Sequence, residues 1–153
     1  MLKVNIVAVG GIKEHYFVDA IKEYSKRLSK FCTLKIIEVE EESNQKSIES
    51  KKEKESERLL SVCKGTIVLL DREGEFVSSE KMAEIIDKYQ TQGNSEITYV
   101  IGGSNGVSEM LKQKANKTIS FGKITFPHQL FRVVLLEQIY RAFCINAGLP
   151  YHK

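Results

Sequence analysis

The sequence predicts an α/β protein built on a parallel sheet, and three observations point there. Short β-branched apolar runs alternate five times with segments of helical periodicity, the pattern of strands joined by crossover helices. Several of the runs end at glycine-containing turns, such as Gly10-Gly11, Gly74 and Gly102-Gly103, which punctuate a chain between elements. A chain of 153 residues, 42% apolar and 28% charged, suits a single domain, expected to span 1–153, that buries its own core.

The elements follow in order. Leu2 to Val9 is a compact apolar run and reads as a buried first strand. From Lys13 to Ser29, Tyr16, Phe17, Ala20, Ile21, Tyr24 and Leu28 recur at three- and four-residue spacing, which gives a helix with one buried stripe. Cys32 to Val39 is the second strand. Glu40 to Lys64 is dense in Glu, Lys and Ser and reads as a solvated helix with a mobile approach, a poor place for chemistry. Thr66 to Leu70 is the third strand, closed by the turn signal Asp71-Arg72-Glu73-Gly74. Ser78 or Ser79 caps a third helix that runs to about Gln92-Gly93. Ile97 to Ile101 is the fourth strand, Ser108 to Ala115 a short helix and Thr118 to Phe121 the fifth strand. The last helix spans His128 to Asn146, with Pro127 at its first turn and Gly148 beyond its end. Eleven apolar residues cover nearly its whole circumference. Such a helix is buried on both sides, so a homodimer interface is expected along it, a central helix buried within one chain being the alternative.

Composition removes several classes. The longest apolar runs stop far short of the roughly 20 residues of a membrane helix. The start Met1-Leu2-Lys3-Val4 lacks the features of a secretory signal, and a cytoplasmic protein is expected. Cys32, Cys63 and Cys144 are odd in number and widely spaced, and read as reduced core thiols. No C-x-x-C, H-x-x-H or H-E-x-x-H occurs, so no metal is expected. Residues 112 to 153 hold seven basic side chains against one acid, Glu137, a net +6, while the rest of the chain carries −3. That asymmetry favours an anionic partner such as nucleic acid, although an ordinary solvated face has the same composition.

Gly102-Gly103-Ser104-Asn105-Gly106, between a strand and a helix, is the strongest local signal: glycines there let a ligand approach the backbone. It does not match G-x-G-x-x-G, follows the fourth strand and lacks a ribose-binding acid further on, which disfavours a nucleotide-dependent oxidoreductase. Lys123 is no phosphate-loop lysine, because residue 117 is Lys where Gly is required and Ile124 stands in place of Ser or Thr. The loops after Leu70, Ile101 and Phe121 all lie at carboxyl ends of strands, where open α/β sheets bind ligands. Arg141 stands four residues after Glu137, a spacing that a plain helical ion pair also explains.

Leu69-Leu70-Asp71-Arg72-Glu73-Gly74, Val100 to Gly106, and above all Phe121 to Lys153, with Thr-Phe-Pro-His-Gln, Tyr-Arg-Ala-Phe and the terminal Pro-Tyr-His-Lys, resemble one family. It is the ribosomal RNA large subunit methyltransferase H family of the SPOUT superfamily. The likeness covers the whole chain and is weakest from Glu40 to Lys64. It implies a SPOUT-type parallel sheet with a C-terminal trefoil knot, a homodimer, and S-adenosylmethionine bound in the knot. It also implies methylation of N3 of a pseudouridine in 23S ribosomal RNA on the assembled 70S ribosome. Carried over by position, cofactor contacts are expected from Leu70, Gly102, Gly103, Phe121, Gly122, Lys123, Ile124, Thr125 and Phe126. Arg141, Tyr151 and His152 are expected to be catalytic, with His128, Arg132 and Lys153 on RNA. In the expected chemistry His152 or a tail-held water accepts the N3 proton, and Arg141 and Lys153 stabilise the developing anion. A non-catalytic ribosome assembly factor and a SPOUT enzyme acting on transfer RNA are the alternatives.

Overall fold

The computed structural model describes residues 1–44 and 47–153. Among these residues five strands and five helices alternate: β1 Leu2–Val9, α1 His15–Leu28, β2 Cys32–Val39, α2 Ile48–Val62, β3 Thr66–Phe76, α3 Ser79–Thr91, β4 Glu96–Ile101, α4 Glu109–Lys114, β5 Lys117–Ser120 and α5 His128–Asn146. The strands pair in the order β2-β1-β4-β3-β5, and every pairing is parallel.

Alternation along the strands divides the core into two layers. Val4, Ile6, Ala8, Val68, Leu70, Ile97, Tyr99 and Ile101 pack on one face with α1, α3 and α5. Val7, Val9, Leu69 and Val100 pack on the other with Leu59 of α2 and Leu111 of α4. Helices therefore cover both faces of the sheet, as parallel strands require.

Serines cap three helices: the side chains of Ser47, Ser78 and Ser108 accept from the backbone N–H groups of Ser50, Lys81 and Leu111. Pro127 stands at the N-cap of α5, whose bounds are those expected from sequence, and its carbonyl accepts from Phe131 N–H at 2.9 Å. Gly148, at φ 70°, reverses the chain after α5. Leu149 N–H then bonds back to the Cys144 carbonyl at 3.0 Å, a glycine-terminated helix end that aims the tail along the helix.

Two expectations are corrected. β3 does not stop at Leu70: Leu70 and Glu75 both pair with Ile119 and Phe76 pairs with Ser120, so Asp71 to Gly74 is an excursion from a strand that then resumes. Gly74 runs so close to β5 that a Cβ on it would lie 2.7 Å from the Ile119 carbonyl carbon, which excludes any other residue there. The second correction concerns α2, which spans Ile48–Val62. It is not uniformly solvated, because Glu55 and Ser56 are buried beside Leu59. Residues 45 and 46 of its expected approach lie outside the described residues.

Helix α5 packs against both α1 and α3. Leu135, Leu136, Ile139, Ala142, Phe143 and Cys144 are buried, whereas Leu130, Val133, Val134, Tyr140 and Ile145 are left half-buried. Among the described residues no helix is long and apolar enough to cross a membrane.

Candidate active site

The start of the β3 excursion at Leu70 to Arg72 and the loops at the carboxyl ends of β4 and β5 enclose one cleft, reached also by His128 and Phe131 from the first turn of α5. Leu70, Ile119, Phe121 and Phe131 make apolar walls, Gly102, Gly103, Gly106 and Gly122 expose backbone, and Asp71 and Arg72 add charge. Arg72 donates to the Lys123 carbonyl at 3.1 Å and so ties the β3 excursion to the loop after β5. Asp71 lies 3.6 Å from Lys112 of α4. Gly106 and Gly122 have φ of 82° and 112°, conformations that glycine supplies without strain.

The other glycines of this loop act differently from the sequence expectation. A Cβ on Gly102 would lie 2.6 Å from Val107 Cγ1, and one on Gly103 would lie 2.6 Å from Glu55 Oε1. Both point into the protein, so close internal packing, rather than the approach of a ligand, requires glycine at 102 and 103.

Of the nine residues expected to contact cofactor, eight line this cleft. Lys123 is the exception: its side chain is exposed and only its backbone takes part, through Arg72. His128, expected on RNA, also lines the cleft. Arg132 does not fit the expected RNA contact. It is 4% exposed, pairs with Glu38 and donates to the Gly10 carbonyl at 3.1 Å. A guanidinium so enclosed secures the ends of β1 and β2 and is withheld from phosphate. Sequence reading also passed over Asp71, Arg72 and Ser120, although the rule about strand ends that found their neighbours covers them too.

A second cluster forms at the other end of α5. Arg141 Nε donates to Glu137 Oε1 at 3.0 Å, confirming the ion pair, and its guanidinium also lies 4.7 Å from the centre of the Tyr151 ring. Tyr151 donates its hydroxyl to Glu137 Oε2 at 2.5 Å and meets Tyr140 edge-on, with ring centres 4.8 Å apart. Burial, then the Glu137 hydrogen bond, pushes the Tyr151 phenol above its ordinary range. Hydrogen bonding to Glu137 likewise raises Arg141. His152 sits between Arg141 Nη1, 3.1 Å from Nδ1, and Glu80, which meets Nε2. A guanidinium has no acceptor, so Nδ1 offers its lone pair and the ring proton is assigned to Nε2, facing Glu80. The hydrogen bond from His152 holds the Glu80 carboxyl below its usual value. Lys153 is exposed at the end of this cluster.

Arg141 lies thirteen residues along α5 from His128, or about 20 Å at the helical rise. A groove between α3 and α5, shared with the cleft at Phe121 and Phe126 and continuing past Val134 to Gln138, leads in that direction. The geometry thus offers a backbone-rich pocket at one end of α5 and an assembly of titratable side chains at the other.

A family profile described as "Predicted SPOUT methyltransferase" matches residues 2–152. The chain belongs to the SPOUT methyltransferase family. Among similar proteins, the ribosomal RNA large subunit methyltransferase H of Clostridium botulinum is 45% identical and that of Clostridium acetobutylicum 46%, each match covering 99% of this chain and 100% of the relative. A probable methylase family protein from Haemophilus influenzae superimposes with a TM-score of 0.56 at 10% identity, over 98% of this chain and 70% of that one. That likeness concerns the fold alone. Burial pushes the Cys32 and Cys63 thiols up to about 11, away from the reactive thiolate form. Among the described residues no group of three His, Cys, Asp or Glu side chains is placed to hold a metal.

Proposed function

We propose that this SPOUT protein transfers the methyl group of S-adenosylmethionine to N3 of a pseudouridine in large-subunit 23S ribosomal RNA, on the assembled 70S ribosome in the cytoplasm. It does so as a homodimer whose C-terminal segment completes a trefoil knot. One observation carries the reading: the loops that family resemblance assigned to cofactor, distant in sequence, converge on a single cleft. Large-subunit ribosomal RNA is the substrate class named for the relatives matched over their whole length, and the pseudouridine N3 on the assembled ribosome is what the family resemblance implies.

The cleft suits the cofactor chemically. Apolar walls at Leu70, Ile119 and Phe121 fit a purine, and exposed backbone of the loops at 102–106 and 121–126 provides donors and acceptors for its edge and the ribose. Asp71 is a carboxylate for a cationic portion. When bound, S-adenosylmethionine supplies an electrophilic methyl on a sulfonium. The protein then has to exclude water, align N3 and favour loss of the N3 proton.

Arg141 and His152 are the groups for that proton. In the arrangement described, Arg141 occupies His152 Nδ1. When Arg141 turns to RNA phosphate or to the developing imide anion, Nδ1 becomes free to accept the proton while Glu80 holds Nε2. Tyr151 and Glu137 keep the guanidinium on the correct face, and Lys153 adds charge for RNA. In one chain this cluster stands about 20 Å from His128 at the cleft, too far to touch a base aligned there. The half-buried side of α5 therefore joins a second copy, whose tail completes the site.

The test is transfer of labelled methyl to ribosomes lacking the modification, with free ribosomal RNA and transfer RNA alongside. Label in one large-subunit nucleotide, only with assembled ribosomes, is the expected result. Label in transfer RNA overturns the substrate, and absence of cofactor binding supports an assembly factor instead. Mixing an Arg141→Ala protomer with a cofactor-defective one is expected to restore activity in the heterodimer; none is restored if each chain completes its own site.

A further inference from the structure

Helix α2 brings two buried polar side chains to the back of the cleft, and neither has a role in the chemistry above. Glu55 is 3% exposed and Ser56 is 0% exposed. Glu55 Oε2 accepts from Glu42 N–H at 3.0 Å, while its Oε1 has no hydrogen-bond partner among the described residues. Oε1 faces Gly103: it is the atom a Cβ there would meet at 2.6 Å, with Val9 Cγ1 next outside the glutamate at 3.5 Å. One residue on, Ser56 Oγ accepts from Ser108 N–H at 2.8 Å, where α4 begins. These contacts bracket residues 103–108, the loop that forms one wall of the cleft.

We propose that Glu55 and Ser56 are positioning residues for methyl transfer, α2 clamping the glycine loop from behind at both its ends. The proposal rests on the reading of the cleft as the S-adenosylmethionine site. Glu55 acts as a fixed stop against which Gly103 seats, and Ser56 holds the far end of the loop to the same helix turn. The stop does not swing aside easily, because Oε2 is tethered to Glu42. Glu42 is in turn held by Arg58, which donates to Glu42 Oε2 at 2.6 Å and to the Glu40 carbonyl at 3.0 Å. Burying a carboxylate oxygen without a donor is unfavourable, and an alanine or leucine would serve a purely structural helix face better. What the carboxylate adds is a rigid polar surface behind a loop whose exact setting determines where cofactor lies.

The experiment is a double-mutant cycle between Glu55 and Gly103, read by calorimetric titration of S-adenosylmethionine, with kcat and KM on ribosomes and thermal unfolding alongside. Gly103→Ala is expected to weaken cofactor binding by roughly 100-fold through displacement of the loop. Adding Glu55→Ala removes the clash and is expected to bring affinity back to within about threefold of Glu55→Ala alone, itself about tenfold weaker than wild type. Glu55→Gln, which keeps the shape of the stop, is expected to recover most of that tenfold. Ser56→Ala is expected to raise KM for cofactor with little change in kcat. A folded double variant as weak as Gly103→Ala overturns the proposal. If Glu55→Ala does not fold, unchanged affinity in both Glu55→Gln/Gly103→Ala relative to Glu55→Gln, and Ser56→Ala relative to wild type, overturns it too. A wild-type protein that binds no S-adenosylmethionine removes the cleft reading and the clamp with it, a failure distinct from normal binding that ignores Glu55.

Discussion

At the amino end of α5 the cleft is made of exposed backbone and apolar walls, whereas at its carboxyl end Glu137, Arg141, Tyr151 and His152 converge through their side chains. Backbone recognition depends on how loops are seated, so it is vulnerable to an added Cβ and indifferent to many side-chain truncations. A side-chain cluster has the opposite profile: one deletion removes a charge and also frees its partners. This difference separates binding from chemistry along a single helix and gives each a distinct experimental signature.

Arg141→Ala is the sharpest test of the division. Loss of the guanidinium is expected to lower the rate of methyl transfer by roughly 10²- to 10³-fold, the scale for removing one donor to developing charge. Cofactor affinity is expected to stay within about twofold, because the cleft holds cofactor through loop backbone and apolar walls, while the guanidinium that a second copy brings to the site acts on the substrate base. Parallel rate measurements and calorimetry check this, and a comparable fall in both quantities would merge the two regions into one.

Gly102→Ala attacks the other region. Its Cβ would fall 2.6 Å from Val107 Cγ1, so the loop must move. A weakening of cofactor affinity by about tenfold to 100-fold is expected, with the tail cluster intact by tyrosine fluorescence. Normal affinity would show that the loop's setting is immaterial to binding.

How much of this contrast was legible in the sequence depends on the kind of interaction. The cleft was readable because loops at the carboxyl ends of parallel strands gather by topology, whatever their side chains. The Glu137–Arg141 pair was readable from helical spacing. Closure of Tyr151 and His152 onto it was not, since it depends on the reversal at Gly148, which spacing rules do not orient. Gly74 looked like a turn because proximity to the β5 backbone is a tertiary fact. Glu55 was hidden among Glu and Lys, although Glu55 and Ser56 stand four and three residues before buried Leu59, on one helical stripe. Arg132 went the opposite way: family resemblance carried it to an RNA contact by position, and the structure encloses it between α5 and the ends of β1 and β2.

The titration of the tail sharpens the comparison at smaller amplitude. The Tyr151 phenol is raised, so its contribution is fully present below the ordinary tyrosine value of about 10 and is lost as pH climbs through the folded value. Glu80 is lowered, so its contact with His152 contributes above the ordinary glutamate value and is lost as pH falls through the folded one. The tail should therefore loosen at both extremes while the backbone-built cleft shows neither transition. Tyr151→Phe is expected to lose about 1 kcal/mol and to remove the Tyr151 share of the alkaline step in tyrosine absorbance and thermal stability, leaving that of buried Tyr99, whose phenol is raised as well. An unchanged alkaline step would assign it to another tyrosine.

Lys123→Ala is the smallest expected effect and tests the backbone principle most directly. The residue lies in the loop after β5, between cleft residues Gly122 and Ile124, yet its side chain is exposed and does not line the cleft. Its contribution to the site is the carbonyl that accepts from Arg72 at 3.1 Å, and alanine retains that carbonyl. Cofactor affinity is thus expected to stay within about twofold, the range for surface changes away from a site, while Arg72→Ala, which removes the donor, weakens binding more. A large loss in Lys123→Ala alone would mean that the lysine side chain reaches the bound cofactor, and the amino end of α5 would then use side-chain charge just as the carboxyl end does.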